Sequence, residues 1–129
     1  MTFYEKEILR IKGVVYSNQG QIDTAIRTRS YIEEHYNRDL NLDLLAQHLF
    51  VSKYHLLRLF KKYYGQTPRQ YLINKRIEQA KEHLKNGLSV TEACFAVGFE
   101  SVGSFSSLFK RKTGQTPAQF KKSNFREAT

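Results

Sequence analysis

One segment of this chain occurs twice, and the repeat is the strongest constraint on its fold. Residues 59–71 read LFKKYYGQTPRQY and residues 108–120 read LFKRKTGQTPAQF, which is a shift of 49 positions. Eight of the thirteen positions are identical. Such self-similarity indicates a duplicated supersecondary unit, and two copies are too few for a solenoid. We expect the duplication to present the same kind of surface at two places on one ligand.

The shared Gly-Gln-Thr-Pro-x-Gln pattern predicts the end of one helix and the start of another. Gly65 and Gly114 are expected to end their helices in the left-handed conformation, which glycine adopts without steric cost. The threonine then caps the next helix, the proline takes its first position, and the glutamine closes a capping box. Each copy therefore predicts a helix, a stop and a new helix.

Upstream of the repeat, each half carries an apolar stripe with the i, i+3, i+4, i+7 spacing of a helix. The positions are Leu42, Leu45, Ala46 and Leu49 in the first half and Val90, Ala93, Cys94 and Val97 in the second. Asn41 and Ser89 are the expected N-caps, and Ser52 and Ser101 are expected to open a second helix in each half. The pattern predicts two helix-turn-helix motifs, with one extra residue in the second turn because the shift grows from 48 to 49 positions.

The predicted fold is all-α, with about seven helices in two helix-turn-helix lobes joined by a long rigid helix. The expected helices cover about Asp23–Tyr36, two within Leu42–Tyr64, Pro68–Leu84, two within Val90–Thr113, and one from Pro117. The long helix is expected to bury Ile73, Ile77, Ala80 and Leu84. Its seventeen residues span roughly 26 Å, which approaches one turn of DNA, about 34 Å.

The ends of the chain are less constrained. Residues 1–21 form an N-terminal segment of uncertain structure, because their apolar residues fit a short helix that Gly13 would weaken, and residues 13–16 fit an extended segment equally well. Such a segment could cover the first lobe, form a dimer contact or belong to a sensor domain. We expect residues 22–122 to form one domain and residues 123–129 to be a tail. Within it the first helix-turn-helix covers about 42–64, the linker helix 68–85 and the second helix-turn-helix about 90–113.

The charge of the chain selects among possible partners. Lysines and arginines number 21 against 12 acidic residues, which gives a net charge of +9 and a pI near 9.7. This balance favours nucleic acid or an anionic membrane. No apolar run approaches the roughly 20 residues of a membrane span, and charged residues interrupt the segment where a signal peptide would be apolar. We therefore expect a cytoplasmic protein whose partner is a nucleic acid.

Residues 89–101, SVTEACFAVGFES, followed by Phe105, Phe109-Lys110 and GQTP at 114–117, resemble the signature of the AraC/XylS family of bacterial transcription regulators. The resemblance extends over about residues 22–122. It implies an all-helical pair of lobes that binds promoter DNA through two recognition helices in adjacent major-groove segments. It also implies activation or repression of transcription, often through contacts with RNA polymerase. Most members carry a further sensor or dimerisation domain, and neither this domain nor a small-molecule effector is evident in the sequence.

The candidate DNA contacts lie on the second helix of each motif. By resemblance, the base-facing positions are Tyr54, Leu57 and Arg58, of which Arg58 can bind guanine O6 and N7 and Leu57 can meet a thymine methyl group. The equivalent positions of the second motif are Val102, Gly103, Ser104 and Ser107, which offer short contacts at best. The expected phosphate contacts are Lys53, Lys61, Lys62, Lys110 and Arg111.

Other readings of the same residues have less support. No cysteine or carboxylate stands at ligand spacing from the four histidines, so we expect no metal site. No phosphate-binding loop or nucleophile with an evident base is present, so we expect no enzyme, no catalytic residue and no cofactor. Cys94 fits a small core residue. A protein-interaction module, whose positive charge serves a partner protein or RNA, remains the rival to a DNA-binding regulator.

Two aromatic positions carry separate expectations. Helical spacing places Tyr63 in the core and Tyr64 on the surface of the first lobe. Phe50 stands in the first turn where the family commonly has glycine. If that position needs a positive φ, a bulky side chain there costs about 1–2 kcal/mol.

Overall fold

The structure, a computed structural model, describes the backbone of residues 2–125 and the side chains of residues 2–10 and 18–125. Within that range it is all-helical and contains no strand. Its helices are α1 (Phe3–His35), α2 (Leu42–Leu49), α3 (Lys53–Tyr64), α4 (Pro68–Lys85), α5 (Val90–Ala96), α6 (Val102–Thr113) and α7 (Pro117–Asn124). The predicted fold class is confirmed.

The helices form two compact units, each containing one helix-turn-helix motif. Unit 1 consists of the residues up to Tyr31 together with Asn41–Pro68, and therefore holds most of α1 with α2 and α3. Unit 2 consists of Ile32–Leu40 and the residues from Arg69 onward, and holds α5, α6 and α7 with nearly all of α4.

The core of unit 1 forms where one face of α1 meets the inner faces of α2 and α3. Its buried apolar residues are Ala25 from α1, Leu45, Ala46 and Leu49 from α2, and Leu56, Leu59 and Phe60 from α3. Thr28 is also fully buried, and its hydroxyl donates to the Thr24 carbonyl at 2.7 Å, so this hydroxyl is not left unpaired. The Tyr64 ring packs on Phe60 with 4.7 Å between ring centroids.

The core of unit 2 is a cluster of aromatic and aliphatic side chains from its four helices. The buried members are Ile77, Ala80, Leu84, Ala93, Cys94, Val97, Phe105, Phe109 and Phe120. Phe109 contacts Phe105 and Phe120 with ring centroids 5.7 and 5.4 Å away, both edge to face, an arrangement that aromatic pairs favour.

Arg76 of α4 ties the segment after α1 into unit 2. Its Nε donates to the Tyr36 carbonyl and its Nη2 to the Arg38 carbonyl, each at 2.7 Å. Burial lowers the pKa of Arg76 from its ordinary value, although the nearby Asp39 and Glu100 carboxylates oppose that shift. The guanidinium stays charged at any physiological pH, and it satisfies two backbone carbonyls that lack a helical partner.

The predicted boundaries of the helices after α1 agree with the structure because the caps are local. Asn41, Ser52, Ser89 and Ser101 are N-caps whose side chains accept from the third backbone N–H that follows. Capping boxes form at Ser89 with Glu92 and at Thr116 with Gln119. Gly65 and Gly114 end α3 and α6 with φ of 71° and 84°, as predicted for the repeated segment.

The predicted start of the first helix is wrong. The structure begins α1 at Phe3, where the Thr2 hydroxyl accepts from the Glu5 backbone N–H at 3.2 Å, and continues it to His35. No proline interrupts this stretch, and each of its two glycines costs a helix only about 1 kcal/mol relative to alanine. A penalty of that size weakens a helix without ending it.

Three side-chain placements also differ from expectation. Tyr63 is 36% exposed beneath the Lys62 ammonium, and Tyr64 is half-buried, which reverses the prediction for the pair. The reason is that Tyr64 lies one full turn after Phe60, on the side where the Arg29 guanidinium of α1 stands 5.5 Å from its ring. In α4, Ile73 is half-buried and the neighbouring Leu72 is buried instead.

The turns of the two motifs use different residues at the same left-handed position. Phe50 has φ 57° and ψ 40° and is 92% exposed, so the position does have a positive φ, and no burial of the side chain compensates for it. Its counterpart Gly98 has φ 97°, and a Cβ there would stand 3.0 Å from the Tyr36 oxygen and from the Asn37 carbonyl carbon. Only the second turn therefore requires glycine for space as well as for conformation.

We expect opposite effects when glycine is introduced into the first turn and removed from the second. Phe50→Gly should raise the free energy of unfolding by up to about 1 kcal/mol, because it removes left-handed strain and loses almost no packing. Gly98→Ala should lower it by about 2 kcal/mol or more, since strain is joined by a backbone collision. Urea denaturation measures both, with Phe50→Ala as the control that removes the ring and keeps the strain. A loss of more than 1 kcal/mol in Phe50→Gly would contradict this account.

Candidate nucleic-acid interface

The outer face of α3 carries long polar and aromatic side chains. Tyr54 is 74% exposed, Lys53, Arg58 and Lys61 are also exposed, and Leu57 is half-buried beside them. Their direction follows from the opposite face, where Leu56, Leu59 and Phe60 are buried in unit 1, so the helix cannot rotate without exposing that stripe. The predicted base-facing side chains of the first motif therefore share one accessible face.

Arg58 and Lys53 make only weak contacts within the unit, and the Lys53 ammonium also lies 5.4 Å from the centroid of the Tyr54 ring. Arg58 Nη2 lies 3.2 Å from His55 Nδ1, a contact between neighbours on one helix in which the arginine donates. Lys53 Nζ lies 3.6 Å from Asp43 Oδ1, with both side chains largely exposed. Surface pairs of this kind contribute about 0–1 kcal/mol, so either cation can exchange its contact for a nucleic-acid acceptor at little cost.

The two lysines at the end of α3 differ in how firmly they are held. Lys62 Nζ donates to Gln21 Oε1 of α1 at 3.4 Å and lies 5.3 Å from the centroid of the Tyr63 ring. Lys61 lies one position earlier and is exposed on the outer side. Of the two, Lys61 is the better placed to meet an external anion.

The outer face of α6 is built from small side chains. Gly103, Ser104 and Ser107 are exposed, whereas Val102 is half-buried and packs against the core of unit 2. Val102 therefore offers less outward surface than the sequence predicts, because the first turn of α6 lies close to the core. Apart from Ser101 Oγ at 3.7 Å, the space beside Gly103 is open, which permits a partner to approach the helix backbone.

Both helices end in basic side chains and carry no acidic ones. The sequence of α3 contains four lysines or arginines and that of α6 contains three, and neither contains aspartate or glutamate. Cations in a last turn also suit the helix dipole, which accounts for part of this placement. Lys112 is an exposed member of the α6 group that the sequence analysis does not select, and its adjacency to Lys110 and Arg111 is the signal that identifies it.

Cys94 and the histidines define no further site within the described residues. Cys94 is fully buried, its Sγ is 4.0 Å from the Phe99 oxygen, and burial raises the pKa of its thiol. In residues 2–125, no three histidine, cysteine, aspartate or glutamate side chains converge as metal ligands would. Over that range, too, every helix is too short or too polar to cross a lipid bilayer.

A family model described as a helix-turn-helix domain matches residues 45–123. A transcriptional regulator from the region 5′ of cgkA in Pseudoalteromonas carrageenovora is 41% identical over 92 residues, covering 71% of this chain and 55% of that protein. AdaA of Bacillus subtilis, a bifunctional transcriptional activator and DNA repair enzyme, is 36% identical over 100 residues, covering 77% and 47%. The chain spans about half the length of these curated relatives.

Two solved structures share the fold. The C-terminal domain of AraT, a response regulator from Geobacillus stearothermophilus, superposes with a TM-score of 0.78 at 31% identity, covering 81% of this chain and 88% of that one. The DNA-binding domain of AdpA, solved with a target DNA, gives 0.73 at 27% identity, covering 77% and 90%. The chain belongs to the AraC-type helix-turn-helix family of transcription regulators.

The burial of Cys94 leads to a chemical prediction. Because the thiolate is the reactive form and burial both raises the pKa and blocks access, alkylation of the folded protein by iodoacetamide at pH 8 should be about 100-fold slower than in urea. A matched control places an exposed thiol in the same protein through Ser123→Cys in a Cys94→Ala background. Equal alkylation rates for the native and control thiols would contradict the core role of Cys94.

Proposed function

We propose that this chain is a sequence-specific double-stranded DNA-binding regulator that places α3 and α6 in adjacent major-groove segments of a promoter. The observation that carries the proposal is the pair of helix-turn-helix motifs whose second helices expose acid-free faces with basic last turns. A positive face on a helix opened by a capped turn suits the phosphate backbone and a groove between phosphates. The likeness to the AdpA domain, solved with target DNA, supports the same assignment.

The proposed contacts differ in the length of the side chain and in whether they meet a base or a phosphate. Arg58 binds a guanine edge through two hydrogen bonds, Leu57 meets a thymine methyl group, and Tyr54 packs on a base edge or sugar. On α6, the base-facing positions are Val102, Gly103, Ser104 and Ser107. The proposed phosphate contacts are Lys53, Lys61, Lys62, Lys110 and Arg111, with Lys112 added from the structure.

We place the DNA-binding domain at residues 22–122 and propose a binding role with no enzymatic activity, since the buried Cys94 is a poor nucleophile. RNA polymerase is a proposed further partner, consistent with an activator. The cytoplasmic location expected from the sequence remains a prediction.

The test of this function is selection of bound duplexes from a random library, followed by footprinting of the selected site. We expect two contacted segments with centres about 10–10.5 bp apart. This expectation is based on the duplicated motif and on α4, whose eighteen residues from Pro68 to Lys85 contain no glycine and no internal proline. Inserting 5 bp between the segments should weaken binding about tenfold or more, because half a helical turn puts the segments on opposite faces. The control is a duplex in which bases between the segments are substituted and the spacing is unchanged. Tolerance of the insertion, or preferential binding of RNA, would contradict the proposal.

We expect the two proposed recognition helices, α3 and α6, to contribute unequally to the preference for DNA sequence. Arg58→Ala should cost roughly 1–3 kcal/mol on the cognate site and relax the preference at one guanine. The double variant Ser104→Ala, Ser107→Ala should leave the selected motif nearly unchanged, because these hydroxyls are short and that segment depends on phosphate contacts and DNA shape.

Binding titrations against cognate and scrambled duplexes at one salt concentration measure how much α3 and α6 each contribute to sequence preference. Lys61→Ala is the matched control, and it should weaken both duplexes alike because a phosphate contact carries no base information. If the double serine variant lost more discrimination between cognate and scrambled duplexes than Arg58→Ala, α6 would contribute more to sequence preference than α3, which contradicts the prediction.

A further inference from the structure

Phe50, the residue that follows α2, is placed in a way that the fold of unit 1 does not require. Its φ of 57° lies in the left-handed region, which bulky side chains rarely adopt, and its ring is 92% exposed. An exposed apolar ring alone is common on protein surfaces. A ring that is both exposed and held in a strained conformation is uncommon, and strained residues cluster at sites that bind ligands.

Hydrogen bonds fix the backbone that carries this ring. The Phe50 N–H donates to the Gln47 carbonyl at 3.3 Å, and the Val51 N–H donates to the Ala46 carbonyl at 3.1 Å. Two residues after Phe50, the Ser52 side chain caps α3. Val51 occupies the position that commonly supplies the apolar contact of such a helix end, and it is half-buried. The end of α2 therefore does not depend on the Phe50 ring.

An open groove borders both Phe50 and the outer face of α3. Its lining includes Asp43 and Gln47 of α2, Phe50 of the turn and Lys53 at the start of α3. The Lys53 ammonium in turn lies 5.4 Å from the centroid of the exposed Tyr54 ring. The surface around Phe50 is therefore continuous with two side chains that are proposed to contact DNA.

The groove combines charge and apolar surface in the way that a DNA strand does. Along each strand, anionic phosphates alternate with deoxyribose rings, and both are common contacts of proteins that bind DNA. Lys53 suits a phosphate, and the Phe50 ring suits the apolar carbon atoms of a sugar. Asp43 Oδ1 lies 3.6 Å from Lys53 Nζ and would repel a phosphate placed inside the groove. The uncharged sugar is therefore the part of the strand that fits against Phe50.

We propose that Phe50 packs against one deoxyribose of the DNA strand that borders the segment contacted by α3, with Lys53 on an adjoining phosphate. This inference rests on the proposed DNA-binding function, and it adds a contact that the turn supplies rather than α3. A contact with the sugar positions α3 and carries no base information. The same side chain thus lowers the stability of unit 1 and raises the affinity for DNA.

Titration of the full chain with its selected duplex tests the contribution of the ring. Phe50→Gly and Phe50→Ala should both weaken binding about 3- to 10-fold, because a ring covered on one face gains roughly half the value of a fully buried one. The two losses should be equal although only Phe50→Gly removes the strain, so a change in stability cannot account for them. Phe50→Tyr keeps the ring and should bind within about twofold of the native chain. Circular dichroism confirms that each variant is folded.

The salt dependence of binding distinguishes a sugar contact from a phosphate contact. An apolar contact releases no counterions, so the slope of log K against log salt should be unchanged in the Phe50 variants. Lys53→Ala is the comparison, and it should reduce the size of that slope by about 0.9 because it removes one phosphate contact.

Photochemical cross-linking locates the ring on the DNA. We expect p-benzoyl-phenylalanine in place of Phe50, whose excited ketone reacts with nearby C–H bonds, to cross-link to one strand beside the base pair whose preference Arg58→Ala relaxes. The same replacement at Ile26 is the matched control, because Ile26 is an exposed apolar residue of α1 in the same unit, and it should give no cross-link.

Native affinity in Phe50→Gly and Phe50→Ala, a salt slope that falls in them as it does in Lys53→Ala, or no cross-link from position 50 would overturn the proposal. In each of these cases a native chain that still selects its duplex leaves the DNA-binding function standing, and only the Phe50 contact is rejected. A native chain that selects no duplex would reject both.

Discussion

The rotation of α3 and α6 about their own axes depends on two fully buried aromatic or aliphatic side chains in each helix. Leu56 and Phe60 anchor α3 in unit 1, and Phe105 and Phe109 anchor α6 in unit 2. Turning either helix by even a quarter turn would expose two of these side chains, at a cost of about 1.5–3 kcal/mol each. The choice of outward residues is therefore a consequence of core packing, and the two motifs use the same rule with different outward chemistry.

The difference between the outer faces is the basis of the separate roles proposed for the two motifs. α3 presents arginine, lysine and tyrosine, which reach several ångströms from the backbone, whereas α6 presents Gly103 and two serines. A helix with small side chains can lie closer to a surface, and it gains from shape and backbone contacts more than from base hydrogen bonds. The two motifs therefore present unequal surfaces, one with long side chains on α3 and one with small side chains on the outer face of α6.

Local chemistry explains which parts of the fold were predictable from the sequence. Caps such as Asn41, Ser89 and Gly114 bond within three or four residues, so their effect can be read without knowing the tertiary structure. The start of α1 has the same local chemistry at Thr2, but the prediction misses it because Gly13 is weighed against a helix over residues 1–21. The burial of Tyr63 and Tyr64 is the reverse of the prediction, and Val102 is partly buried. Both outcomes depend on contacts with neighbouring helices, which the apolar periodicity of a single helix does not reveal. The outer face of α3 follows from the stripe, while its contacts with DNA bases remain predictions.

The unequal crowding at Phe50 and Gly98 also bears on how the two halves of a duplicated protein diverge. A Cβ at residue 98 would stand 3.0 Å from the backbone of residues 36 and 37, so a side chain there requires that backbone to shift in addition to the strain of a positive φ. The same position in the first motif opens to solvent, and a mutation away from glycine carries only a conformational penalty that the rest of the unit can absorb. The two turns therefore tolerate substitution differently because of what packs behind them, and the first turn is the one where a side chain can be added on the surface.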